Sequence, residues 1–165
     1  MKLASLSEYA KHKDGTYVAL NMSSDSMDLL DNFVANNLGL EERLAKHSYH
    51  ITVIYSRTPV PDAEKLSRAQ TAIAQAVGYE IFDTKDGGKC LVLRVESAEA
   101  RALNNILSAM GATSDYDSYK PHVTLAYNIK QDIDPESLPL PQFSLTFDEL
   151  HVAPLDPLFV PDNSK

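Results

Sequence analysis

The six-residue string His-x-Thr-x-x-Tyr occurs twice, as His50-Ile-Thr52-Val-Ile-Tyr55 and as His122-Val-Thr124-Leu-Ala-Tyr127, with the copies 72 residues apart. The same shift carries Gly39 onto Gly111, residues 16–22 onto 88–94, and the helical stretch before the first glycine onto that before the second. A match at fixed spacing is the mark of internal duplication, and it constrains the fold more tightly than composition does. Each unit reads as a strand, a helix ended by glycine, a short loop, and then the strand bearing His-x-Thr. Two equivalent histidines are therefore expected on two equivalent strands, near residues 49–55 and 121–129.

At 165 residues and 44% hydrophobic, the chain suits one compact domain over 1–165 with two pseudo-symmetric lobes, and is short for two independent domains. Residues 1–13 carry no apolar leader core, and no run approaches the ~18 apolar residues of a membrane span. A cytoplasmic protein without a membrane partner is expected. The single cysteine, Cys90, sits in the apolar run Cys90-Leu-Val-Leu and reads as a buried strand residue rather than a nucleophile. A net charge of −8 argues against long DNA or RNA, whose binding rests on many Lys and Arg contacts to phosphate. A small anionic ligand in a locally basic cleft is compatible with it.

Residues 16–22 alternate as a strand, Ser23 or Ser24 can cap the amphipathic run to Leu38, and Gly39 suits the position after a helix end. Pro59 and Pro61 break the strand after Tyr55; Asp62 can cap a helix through Val77 that Gly78 would end, without a copy in the second unit. Asp86-Gly87-Gly88 reads as a hairpin turn between strands 79–84 and 89–96. A helix over 98–110, an irregular stretch with Asp115 and Asp117, and a strand over 121–129 complete the second unit. A proline-rich connection over 134–141, a last strand over 143–152 and an irregular tail from Pro154 to Lys165 follow. The class is α+β: two small antiparallel-dominated sheets around a central cleft, with helices outside.

Residues i and i+2 of a strand share a face about 6 to 7 Å apart, so His50 projects with Thr52 and His122 with Thr124. Tyr55 and Tyr127 have the opposite parity and are expected to pack against the helix layer. Cleaving a 3′,5′ phosphodiester beside a 2′-hydroxyl needs a base for that hydroxyl, an acid for the leaving 5′ oxygen, and donors for the non-bridging oxygens. Two imidazoles and two threonine hydroxyls fill those roles without a metal or other cofactor. His12, His47 and His151 have no repeat partner and read as surface or local hydrogen-bonding residues. His47 with His50 would make a metal-ligand pair, but no third and fourth ligand is evident.

Two His-x-Thr strands in a duplicated α/β chain resemble the two-histidine phosphoesterase superfamily, which includes RNA 2′,5′-ligase-like and cyclic phosphodiesterase proteins. That resemblance implies His50 and His122 as the acid/base pair and Thr52 and Thr124 as phosphate ligands. More narrowly, Asp14-Gly-Thr-Tyr17-Val-Ala-Leu, His50-Ile-Thr-Val and Lys120-Pro-His-Val-Thr-Leu-Ala-Tyr look like the tailed-phage anti-CBASS phosphodiesterases. This implies a cyclic di- or trinucleotide substrate, the immune signal of the host bacterium. The family stacks aromatic side chains on bases; with no Trp in this chain, Tyr17 and Tyr79 are the expected substitutes, and Lys120 is expected near the phosphate. The alternatives are an RNA-processing esterase acting on 2′,3′-cyclic phosphate or 2′,5′-linked oligonucleotides, and a sponge that binds a cyclic nucleotide without turnover.

Overall fold

The computed structural model describes residues 11–84 and 86–156. Its strands are β1 (Thr16–Met22), β2 (His50–Ser56), β3 (Ala72–Asp83), β4 (Lys89–Glu96), β5 (His122–Ala126) and β6 (Leu145–Pro154). Its α-helices are α1 (Ser24–Asn37) and α2 (Ala98–Ala109). The expected tail falls beyond 156, outside the described residues, except for its first three positions.

Both helices start where a serine can cap them. Ser23 accepts from the amide of Ser26 and Ser97 from that of Ala100, each satisfying one of the amides that a first helical turn leaves unpaired. Leu30 and Val34 of α1 and Leu103 and Leu107 of α2 join Val18, Leu20, Ile51, Leu93, Val123 and Phe147 in the main core. The helices thus cover one face of the sheet.

The strands run in the order β2-β1-β6-β3-β4-β5, with every pairing antiparallel. The two expected sheets are joined by β3, whose Ala72 to Ala74 pair with β6 while Gln75 to Asp83 pair with β4. The two His-x-Thr strands are the two ends of this order, and the sheet curves enough to bring them near each other.

The helix expected over 62–77 is not formed. Pro61–Lys65 make a 3-10 turn and the chain enters β3 at Ala72. Ala72 and Ala74 are buried while Ile73, Gln75 and Val77 face out, a period of two that the small alanines conceal in the sequence. Hydrogen bonding to β6 and β4 overrides the helical propensity of the Ala/Gln run, and Gly78 stands at a register shift inside the strand rather than at a helix end. The strand expected over 121–129 stops at Ala126, because Asn128 turns the backbone with φ of 52°. The Asp86-Gly87-Gly88 turn forms as expected, with the Thr84 amide on the Gly88 carbonyl at 2.8 Å. Cys90 is buried in β4.

Duplication is visible in the backbone, with one correction. Asn21 lies opposite His50 and Arg94 opposite His122, so the first strands of the two units match at a spacing of 73 while the His-x-Thr strands match at 72. In both units the partner register skips one residue of the His-x-Thr strand, Val53 in β2 and Leu125 in β5. The β-bulge is thus part of the repeat.

His12, expected either at the surface or in local hydrogen bonding, is fully buried and takes the second role. Its Nδ1 is 2.9 Å from the Thr16 hydroxyl and its Nε2 2.9 Å from Glu64, while Thr16 accepts from the Val60 amide at 2.8 Å. This chain of bonds ties the start of β1 to the segment after β2.

Candidate active site

The bulge decides which side chains share the sheet face away from the helices. His50 and Thr52 alternate with buried Ile51 and Val53, but Ile54 is buried as well, and Tyr55 therefore emerges on the Thr52 side. The expectation that Tyr55 packs under the helices fails for that reason: one extra residue in the strand reverses parity. Tyr127, past the end of β5, is 39% exposed and is not a core residue either.

A cleft of about 870 Å³, including its open mouth, lies between β2 and β5. Thr52 and Tyr55 from the first unit and Lys120 and His122 from the second share its walls with Asp115 and Tyr116 of the loop after α2. His50 and Thr124 stand two residues along the same strands, Thr124 with 7% exposure.

Both imidazoles are oriented in the same way. His50 Nδ1 is 2.7 Å from the carbonyl oxygen of Ser48, and His122 Nδ1 is 2.8 Å from that of Lys120. A carbonyl only accepts, so Nδ1 carries the hydrogen and donates it, and in the neutral ring the lone pair resides on Nε2. Each ring thus has its Nδ1 held by the backbone of the residue two before it, which fixes the ring's orientation. The Phe82 ring meets the His122 ring edge-on at 5.2 Å, and Phe82, Cys90 and Val92 form a small apolar cluster apart from the main core.

Beside the histidines the two units offer matched polar neighbours. Asn21, opposite His50, donates to Glu149 of β6 at 2.8 Å. Arg94, opposite His122, pairs with Glu80 of β3. Neither carboxylate stands out in the sequence, since neither belongs to a repeated string and only strand pairing brings it to the residue opposite a histidine.

Tyr17 stands beside Thr52 and Tyr55. Its hydroxyl lies 3.2 Å from Thr52 Oγ1, and its ring meets Tyr55 at 6.4 Å and His151 at 6.1 Å, both edge-on. Burial raises its phenol pKa, only partly offset by the Thr52 bond, so the hydroxyl stays protonated near neutrality. Tyr79 is not brought to the cleft. It is 8% exposed within the main core and donates to the Pro139 carbonyl at 2.7 Å, which makes it a packing residue. Lys120 contributes its backbone carbonyl to His122 as well as its place on the wall. Among the described residues no three His, Cys, Asp or Glu side chains are grouped to hold a metal ion, and no helix is long and apolar enough to cross a membrane.

A family model described as anti-CBASS protein Acb1 matches residues 14–160. The Acb1 anti-CBASS protein of Salmonella phage S16 is 33% identical over 122 residues, covering 74% of this chain and 78% of that protein. That of Vibrio phage KVP40 is 30% identical over 132 residues, covering 78% and 80%. Among solved structures, the Thermus thermophilus protein TT0787 superposes with a TM-score of 0.56 at 14% identity, covering 83% of this chain and 86% of its own. Escherichia coli LigT complexed with 3′-AMP superposes with a TM-score of 0.54 at 12% identity, covering 91% and 98%. At such identities these structures speak to the fold, which is that of the LigT-like two-histidine phosphoesterases.

Proposed function

This chain belongs to the Acb1 family of anti-CBASS proteins, and from that premise we propose that it is a phosphodiesterase cleaving 3′,5′ linkages of cyclic di- and trinucleotides by two-histidine acid/base catalysis. The observation that carries the reading is the matched pair of imidazoles, each held through Nδ1 by a backbone carbonyl, so that Nε2 is the nitrogen the scheme uses for proton transfer. One Nε2 takes the proton of the 2′-hydroxyl as its oxygen attacks phosphorus. The bond from phosphorus to the 5′ oxygen breaks, and the other imidazolium protonates that leaving oxygen. The product end is a 2′,3′-cyclic phosphate. Thr52 and Thr124 donate to the non-bridging oxygens as their charge grows, and Tyr17 and Lys120 flank the substrate.

No step in this scheme calls on a metal. The test is incubation with a panel of cyclic di- and trinucleotides in excess EDTA, followed by chromatography. Linear products are expected from the wild type, with binding retained and cleavage slowed by about 10² to 10⁴ in His50→Ala or His122→Ala. Tight binding with the ligand returned intact by the wild type would establish a sponge, and loss of turnover with chelator would sink the metal-free scheme.

A further inference from the structure

β2 is an end strand, so β1 takes its hydrogen bonds along one edge only and the other edge must find partners elsewhere. At the bulge those partners come from the second unit. The Tyr119 hydroxyl donates to the carbonyl of Thr52 at 2.9 Å, and the Asn104 amide donates to the carbonyl of Val53 at 2.9 Å. Successive carbonyls of a regular strand point to opposite edges. Here two in a row are bound by side chains of the same neighbouring unit.

Tyr119 immediately precedes Lys120, whose carbonyl holds His122 Nδ1. Two hydrogen bonds, joined by the Tyr119-Lys120 peptide, therefore connect the backbone of Thr52, in one motif, to the ring orientation of His122, in the other. We infer that Tyr119 is a positioning residue that sets Thr52 and His122 relative to each other across the cleft, with Asn104 as its second point of attachment. In the reverse direction the units meet through the Leu44 amide on the Leu125 carbonyl at 2.8 Å, a main-chain contact at the matching bulge. On the β2 side the tie runs through a side-chain hydroxyl next to the residue that orients a histidine.

Two further features keep the tie in place. Arg101 of α2 donates to the Tyr119 carbonyl at 3.3 Å, lies 5.9 Å from its ring centroid, and is itself held by two-pronged bonding to Glu96. Burial pushes the Tyr119 phenol up, so the hydroxyl remains a donor throughout the range in which histidine changes charge.

Tyr119→Phe keeps the ring, its packing and the Arg101 contact, and removes only the donor. The inference rests on the phosphodiesterase reading for its kinetic arm, in which kcat on the best-cleaved cyclic dinucleotide is expected to fall about tenfold or more with KM within about twofold. Its second arm does not depend on turnover. Nitrogen-15 NMR of histidine-labelled full chain should show His122 as one neutral tautomer in the wild type and as a mixture in Tyr119→Phe, with His50 unchanged. The melting temperature should drop by only a few degrees, as for one lost hydrogen bond. Asn104→Ala should show the same pattern more weakly. An unchanged kcat, or an unchanged His122 tautomer, in folded Tyr119→Phe overturns the inference. If the wild type cleaves nothing, the proposed function fails and the tautomer readout alone decides this one.

Discussion

The Tyr17 hydroxyl and Thr52 Oγ1 lie 3.2 Å apart, on adjacent strands whose register puts the two residues on one face. A threonine hydroxyl rotates freely unless something fixes it, and Tyr17 is the group that does so here. Tyr17→Phe should therefore lower kcat/KM by about threefold to tenfold, the worth of one neutral hydrogen bond, while thermal stability changes little. Tyr17→Ala, which also removes the ring, should weaken binding of the cyclic nucleotide further. Steady-state kinetics beside a titration with an inactive His122→Ala background separates the two effects. Equal kinetics for Tyr17→Phe and the wild type would show that Thr52 needs no orienting partner.

His50 and His122 are asked to begin catalysis in opposite protonation states, one neutral as base and one charged as acid. A bell-shaped rate profile is the expected outcome, its limbs belonging to the pair and not to either ring. Each alanine variant should lose about 10² to 10⁴ in rate and one limb of the bell. If His50 is the base, His50→Ala removes the acidic limb; the opposite result assigns that role to His122. A wild-type profile that is flat across the range of histidine titration, with chemistry limiting the rate, contradicts acid/base catalysis by the pair.

What was legible in the chain before folding was whatever is local. The serine that caps α1, the Asp86-Gly87-Gly88 turn and the strands of the paired His-x-Thr strings each depend on a few neighbouring residues, and each stands where expected. The matter of 62–77 was illegible because alanine fits helix and strand alike, and only the edge of β6 decides between them. Tyr55 was misplaced because strict alternation was assumed through Val53, and nothing in the string itself announces a bulge. Glu149 and Glu80 reach Asn21 and Arg94 through strand register, and Asn104 reaches the Val53 carbonyl through helix packing, which no motif encodes.

The pair of buried His12 and half-buried Glu64 predicts a pH-dependent contribution to stability. Partial burial pushes the Glu64 carboxyl up, but the His12 bond, with the charges of Lys11, Arg68 and His12, outweighs it and holds the carboxyl below its ordinary range. A carboxyl whose folded value is depressed stabilises the protein above its unfolded value, and that contribution fades as pH falls through the folded value. Glu64→Ala leaves a fully buried ring nitrogen without its acceptor, at a cost of about 1–3 kcal/mol near neutrality. Melting curves taken from pH 7 downwards should show a deficit that narrows in the acid range where Glu64 protonates. Curves that stay parallel to low pH would remove Glu64 ionisation from the account.

Tyr55 and Tyr79 make a paired prediction, because the fold buries Tyr79 and sets Tyr55 on the cleft wall. Tyr79 is enclosed in the core, its hydroxyl on the Pro139 carbonyl, and burial raises its phenol to about 12. Tyr79→Ala should cost about 3–5 kcal/mol, as for other large aromatic truncations, and Tyr79→Phe about 1 kcal/mol, with KM unchanged for whatever fraction folds. Tyr55 stands on the cleft wall, its ring edge-on to Tyr17 and the Arg57 guanidinium 5.4 Å from its centroid. A ring so placed is available to stack on a base, a contact worth about 1–3 kcal/mol by alanine substitution. Tyr55→Ala should therefore raise KM by about tenfold while the urea midpoint moves little, and Tyr55→Phe should bind like the wild type. If Tyr55→Ala instead destabilises the fold and leaves KM alone, the bulge has not turned that side chain to the substrate and the original packing assignment is restored.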